Sequence, residues 1–205
     1  MSKGRIIVIE GACDGIGKST QYKLLKDKLG EKVITHHFPT YDSYQGKGVE
    51  EYLKGSYGNI NELSPYFINN LYAYDRGVTW QTELKDNYEE GYTILLDRYT
   101  TSNLAHQGSK IKDKDERYNM YNWIDKLEYW LLKLPKPDKT IFLHVPYEYT
   151  IELRKNRASI DEHEKSIEHL KNAEEAYVEL SELYKWDTIE CIKDGKLRSI
   201  EDIND

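Results

Sequence analysis

The sequence predicts an α/β fold in three layers, a five-stranded parallel sheet flanked by helices, with a short lid. Two observations carry this. Short apolar runs alternate with longer stretches of helical periodicity, and a glycine-rich loop joins the first run to the first helix. In chain order, Arg5–Glu10 opens on Ile6-Ile7-Val8-Ile9 and reads as a buried strand. A helix follows from Gly17 to Leu29. Lys32–Phe38 is the second strand, and Glu62 to Glu89 a long helix. Tyr92–Asp97 is the third strand, followed by a helix from Asp115 to Leu134 and a fourth strand, Lys139–Val145. From Ser159 to Tyr184, Ile167, Leu170, Ala173, Tyr177, Leu180 and Tyr184 recur at three to four residues, one apolar stripe, with Ser159 and Glu162 forming a capping box. Asp187–Lys193 completes the sheet. No repeat or linker interrupts residues 1–205, so a single domain is expected. In such a sheet ligands bind beyond the carboxyl ends of the strands.

Composition narrows the function. At 39% hydrophobic and 32% charged, the 205 residues can build a core. A net charge of −7 argues against a nucleic-acid binder, which needs a basic face. The apolar runs are too short to span a bilayer, and Met1-Ser2-Lys3-Gly4-Arg5 leads into no signal-peptide core. Two cysteines, Cys13 and Cys191, make neither a disulfide framework nor a metal cluster. A cytoplasmic location is expected.

After the first strand comes Glu10-Gly11-Ala12-Cys13-Asp14-Gly15-Ile16-Gly17-Lys18-Ser19-Thr20. This is a phosphate-binding loop, in which glycines let backbone N–H groups turn toward an oxyanion at a helix N-terminus. Asp14, Gly15, Ile16, Gly17, Lys18, Ser19 and Thr20 form the nucleotide-binding set. Lys18 reaches the terminal phosphates, and the Ser19 hydroxyl is a Mg²⁺ ligand. Five residues separate Gly11 from Gly17, one more than the usual spacing. Either Ala12 stands in the first glycine position or the loop bulges near Cys13.

At the end of the third strand, Asp97 can hold Mg²⁺ or its water across from Ser19, and Arg98 can bridge donor and acceptor phosphates.

With these pieces the chain resembles the thymidylate kinases, P-loop enzymes that convert dTMP to dTDP with ATP. The matching segments are Asp14-Gly-Ile-Gly-Lys-Ser-Thr20, Phe38-Pro39, Tyr72-Ala-Tyr-Asp-Arg76, Asp97-Arg-Tyr99 leading to Ser102-Asn103 and His106-Gln107, Leu134-Pro-Lys-Pro-Asp138, and Asp161-Glu-His-Glu164. They run in the family's order from residue 5 to about residue 185. The resemblance implies ATP and Mg²⁺ as cofactors and dTMP as acceptor. Tyr72 stands where the family places an aromatic against the thymine, and Arg76 where it clamps the dTMP phosphate. Phe38 and Pro39 shape the acceptor pocket, while Asn103, His106 and Gln107 line the base and sugar. His106 replaces a common Tyr; it either faces the deoxyribose or turns to solvent. Thr40 and Tyr41 replace an Arg near Pro39, and Lys47 is the candidate substitute. Asp14 matches an acidic loop residue. A lid at about 154–161 carries Arg154 and Arg157, which close on the transferring phosphate. The catalytic set is then Lys18, Asp97, Arg98, Arg154, Arg157 and Asp14. A homodimer through the long helix carrying Arg76 is also implied. Two alternatives stand beside this reading: a deoxynucleoside kinase on the same fold, and a non-catalytic nucleotide-binding paralogue.

Overall fold

The computed structural model describes residues 3–13, 15–59, 62–154 and 167–205. Five strands form the predicted all-parallel sheet: β1 (Arg5–Glu10), β2 (Val33–His37), β3 (Thr93–Asp97), β4 (Lys139–His144) and β5 (Asp187–Glu190), in the order β2-β3-β1-β4-β5. Register pairs Ile9 with Asp97 and Asp97 with His37, so the carboxyl ends of β1, β3 and β2 finish level. The last strand is shorter than expected. At Cys191 it leaves the sheet, and β6 (Ile192–Lys193) pairs antiparallel with β7 (Lys196–Leu197) in a hairpin.

Helix α1 (Lys18–Leu29) begins at Gly17, whose φ of 86° is left-handed and suits glycine. The long second helix is α3 (Pro65–Thr79), a π-helical turn at Trp80–Leu84, and α4 (Lys85–Glu89). A second π-helical turn, Lys126–Leu131, extends α6 (Lys114–Asp125). Four short helices were not expected: α2 (Lys47–Leu53), α5 (Thr100–Gly108), α7 (Tyr147–Arg154) and α9 (Ile200–Asn204). Helix α8 spans Ile167–Leu183; the predicted capping box at Ser159 and Glu162 and most of the predicted lid lie outside the described residues.

Alternation along β1 divides its apolar side chains between two layers. Ile6 and Val8 pack with Ile94, Leu96, Trp80 and Leu84 under the long helix. Ile9 packs with Leu95, Leu143, Val145 and Ile203 on the other side. A third cluster joins α5, α6 and α8 through Leu104, Met120, Ile124, Tyr177 and Leu180, against Phe142 of β4.

Candidate active site

The expected nucleotide loop leaves the carboxyl end of β1. Gly15 and Gly17 have φ of 85° and 86°, and Thr20 N and Gln21 N donate to Gly17 O at 3.0 and 3.1 Å. A Cβ at Gly11 would sit 2.5 Å from Ile16 Cδ1, so the chain there tolerates no side chain without displacing buried Ile16. Ala12 and Cys13 are both buried, each in an apolar cluster. Ser19 and Thr20 are exposed at the start of α1. Asp14 lies outside the described residues.

Lys18 and Asp97 meet. The Lys18 ammonium donates to Asp97 Oδ1, both residues being buried. Burial, with the neighbouring Arg98 charge, lowers the Lys18 pKa, and Asp97 opposes this. For Asp97, burial raises the pKa, but a hydrogen bond from His37 and the Lys18 charge outweigh it and hold the carboxyl at about 2. His37 Nδ1 stands 3.1 Å from Asp97 Oδ2. Asp97 is thus a firmly ionised carboxylate held beside Lys18, the residue before Ser19. One carboxylate and one hydroxyl fit Mg²⁺, which takes few protein ligands and fills its shell with phosphate oxygens and water.

Arg98 adopts φ of 67°, left-handed for a non-glycine residue. Its backbone N–H donates to Ile9 O at 3.2 Å, and Nη1 donates to His106 Nε2 at 3.3 Å. His106 also lies 3.4 Å from the Tyr177 hydroxyl, with the rings edge-on at 5.5 Å. It points toward Arg98, not to solvent.

The turn bearing Arg98 is fastened by Glu10, which sequence reasoning passed over. Glu10 is fully buried. Its Oε1 accepts from Tyr99 N at 3.2 Å and from the Thr101 hydroxyl; Oε2 accepts from Ser102 Oγ at 2.6 Å and Tyr177 Oη at 3.0 Å. The signal available was a carboxylate ending an otherwise apolar strand.

Arg76 is 1% exposed and faces protein acceptors. Nε and Nη2 donate to the two Glu128 oxygens at 2.6 and 2.7 Å, and Nη1 donates to Asn103 Oδ1 at 3.1 Å. Burial would lower its pKa, but Glu128 raises it. Asn103 Nδ2 donates to Asn69 Oδ1 at 2.9 Å, and Thr100 Oγ1 to Glu128 Oε2 at 2.7 Å. Glu128 was also missed, since nothing in sequence marks a buried carboxylate inside a helix. Tyr72 is half-buried, its ring edge-on to Tyr52 at 6.4 Å. Its hydroxyl pKa is raised, chiefly by burial, with Arg98 and Arg76 near enough to pull the other way.

Phe38 and Pro39 are buried beside this group, joined by a cis peptide, and the Phe38 ring lies 6.0 Å from Tyr99. The loop is anchored by Asp75, whose Oδ2 accepts from Thr40 N at 2.7 Å. Lys47 instead pairs with Glu50 and Glu51 of its own helix, at 3.1 and 3.2 Å. Gln107 is buried with no partner for Oε1 among the described residues. Arg154 ends α7, and Arg157 lies outside the described residues.

Comparison with known proteins points to one family. The family model described as thymidylate kinase matches residues 9–202. Thymidylate kinase of Schizosaccharomyces pombe is 36% identical over 147 residues, 70% of this chain and 62% of its own length. Probable thymidylate kinase 1 of Saccharolobus solfataricus is 31% identical over 93% of this chain and 90% of its own. A solved structure of thymidylate kinase from Candida albicans superposes with a TM-score of 0.68 at 29% identity, covering 93% of this chain and 85% of that one. The match thus spans under two thirds of the fission yeast protein but nearly all of the archaeal one. The family model covers most of the residues and the solved relative shares the fold, and the chain belongs to the thymidylate kinase family.

Proposed function

We propose that the chain transfers the terminal phosphoryl group of ATP to dTMP, giving dTDP and ADP. The observation that carries this is the meeting of Lys18, Asp97 and Arg98 at the level ends of β1 and β3, beside a glycine-rich helix N-terminus. The acceptor is already an ionised phosphate, so no strong general base is needed. Catalysis is positioning and charge neutralisation. Exposed backbone at Gly15 and Gly17 supports a phosphate cradle over Asp14 to Thr20. Lys18, released from Asp97 when phosphate arrives, neutralises the transferring group, and Arg98 stands between donor and acceptor. Ser19 and Asp97 would hold Mg²⁺, which would supply further charge neutralisation at the phosphates. Arg154 and Arg157 would close from the lid.

On the acceptor side, Tyr72 stacks on the base against the wall formed by Phe38 and Pro39. Asn103, His106 and Gln107 form the side toward base and sugar. The sequence resemblance gave Arg76 to the phosphate; its burial against Glu128 supports instead a role in shaping the pocket floor, with Arg98 the phosphate contact. A homodimer is part of the reading. Phe67 and Tyr74, 42% and 55% exposed on α3, support an apolar face there, and sedimentation would measure it. Among the described residues no helix is long and apolar enough to cross a membrane; a cytoplasmic site of action without nucleic-acid partners is part of the same proposal.

An ADP-release assay tests the central statement, with dTMP, dUMP, dGMP and thymidine as acceptors. Turnover with dTMP, absent with thymidine and in Lys18→Ala, is expected. Thymidine as the preferred acceptor would give a deoxynucleoside kinase, and ATP binding without turnover a non-catalytic paralogue.

A further inference from the structure

Buried ammonium groups are normally paired with a carboxylate, because an uncompensated charge in a low-dielectric interior is costly. Lys110, half-buried, has no carboxylate partner among the described residues. It follows α5 by two residues, and among the described residues its Nζ has one hydrogen-bond partner, the Tyr52 hydroxyl at 3.2 Å. Nζ lies 5.7 Å from the centre of the Tyr52 ring. Burial pushes the Lys110 pKa down to about 8. One protein acceptor leaves two of its three donors open to a ligand.

The place matters. Tyr52, itself 1% exposed, is edge-on to Tyr72 at 6.4 Å. Asn103, Gln107 and Lys110 are spaced four and three residues apart, so they rise along one side of α5 and its end. The lowest of them touches Asn69 and Arg76 of α3. Gln107, the middle one, carries the buried Oε1 that lacks a donor. Open donors at Lys110 and a buried acceptor without a donor at Gln107 therefore lie about one helical turn apart. The imide edge of a pyrimidine supplies both, an N–H between two carbonyls.

Resting on the reading of Tyr72 as the base platform, we propose that Lys110 is a specificity-determining residue whose ammonium donates to a carbonyl oxygen of the acceptor's pyrimidine base. The Tyr52 hydroxyl holds the side chain in place, leaving two donors for the ligand. The site takes a carbonyl-bearing pyrimidine nucleotide, and its charge is kept at a cost in stability.

Steady-state kinetics on the full chain, with dTMP, dUMP and ATP varied separately, tests this on Lys110→Met and Lys110→Arg, with thermal melting alongside. Lys110→Met should raise KM for dTMP and dUMP by the same factor, about 10- to 100-fold for a charge-assisted hydrogen bond. KM for ATP and kcat should stay within about threefold, with melting unchanged or higher because a desolvated charge has gone. Lys110→Arg should recover part of the KM loss. An unchanged dTMP KM, an equal rise for ATP, or a lowered melting temperature with no Arg rescue would overturn the proposal. Lys110→Gln measured in parallel keeps the test open should the Met variant fail to fold. Failure of the wild-type chain to phosphorylate dTMP at all would instead overturn the function proposed above.

Discussion

Arg76 and Glu128 offer a direct measure of what holds the acceptor side together. Both are essentially excluded from solvent, at 1% and 0% side-chain exposure, and they meet through two parallel hydrogen bonds of 2.6 and 2.7 Å. Replacing Glu128 alone by Leu strands the guanidinium in the interior. Loss of one member of a buried pair costs about 3–5 kcal/mol. At about 2–4 °C per kcal/mol for a chain of this size, melting should fall by ~6–20 °C. Arg76→Met alone strands the carboxylate, though Thr100 and Asn69 still donate to it at 2.7 and 3.4 Å, so its loss should lie at the lower end. In the double variant Arg76→Met/Glu128→Leu no unpaired charge remains, and most of the deficit should return. Recovery will be incomplete, because the Thr100 hydroxyl and Asn103 Oδ1 each lose an ionic partner, about 1–3 kcal/mol in all. Urea unfolding of all four proteins at pH 7 gives the cycle, and dTMP kinetics on the double variant gives the functional arm. Additive single effects, with the double variant as unstable as their sum, would refute the reasoning about pairing. A folded double variant whose dTMP KM rises more than tenfold would show that Arg76 itself touches the nucleotide.

Further outcomes follow from other contacts. Lys18→Ala should lower kcat by at least ~10²-fold, the scale for losing one preorganised charge donor, and should lower melting too, since buried Asp97 loses its ammonium partner. Gly11→Ala should destabilise by about 1–3 kcal/mol and raise the ATP KM, since its Cβ displaces buried Ile16 and with it the loop; unchanged melting would contradict the 2.5 Å clash. Asp97 has a folded pKa of about 2, below its ordinary 3.8. Its stabilising contribution is thus complete above pH ~4 and lost as pH falls through 2; acid unfolding of Asp97→Asn should lack that component. His144 is opposite in sign. Hydrogen bonds to Glu174 and Glu190, at 2.9 and 2.8 Å, raise its pKa above 6.5 despite burial. This contribution is present below pH ~6.5 and fades as pH rises through the raised value, so the urea midpoint of the wild type, but not of His144→Gln, should drop over that window.

Much of this architecture could be read from residues alone. The five strands announced themselves because a sheet buried on both faces needs near-continuous apolar runs, as in Ile6–Ile9 and Ile94–Leu96. The nucleotide loop was legible because its glycines and Lys18 have few other uses in that order. Helix α5 was not. Thr100, Thr101, Ser102, Asn103 and Gln107 are polar yet buried, so no apolar stripe marks the helix. What makes it stable is satisfaction by Glu10 and Glu128, carboxylates 90 residues before it and some 28 after it. Pairing over such separations has no local signature. The same holds for Arg76: its motif position was visible, while the partner that buries it was not. Strand β5 was drawn too long because Ile189, Cys191 and Ile192 continue an apolar pattern that the chain then uses in a hairpin.

The four hydrogen bonds on Glu10 have a consequence for how this family can vary. One carboxylate simultaneously receives a main-chain N–H from the end of β3, two hydroxyls from the first turn of α5 and a phenol from α8. The first of these donors is part of the backbone and cannot be moved by choosing another rotamer. Aspartate, shorter by a single methylene, would leave the phenol or the main chain out of reach. Side-chain length at residue 10, together with two oxygens that both accept, is therefore what the Arg98 turn and α8 jointly demand.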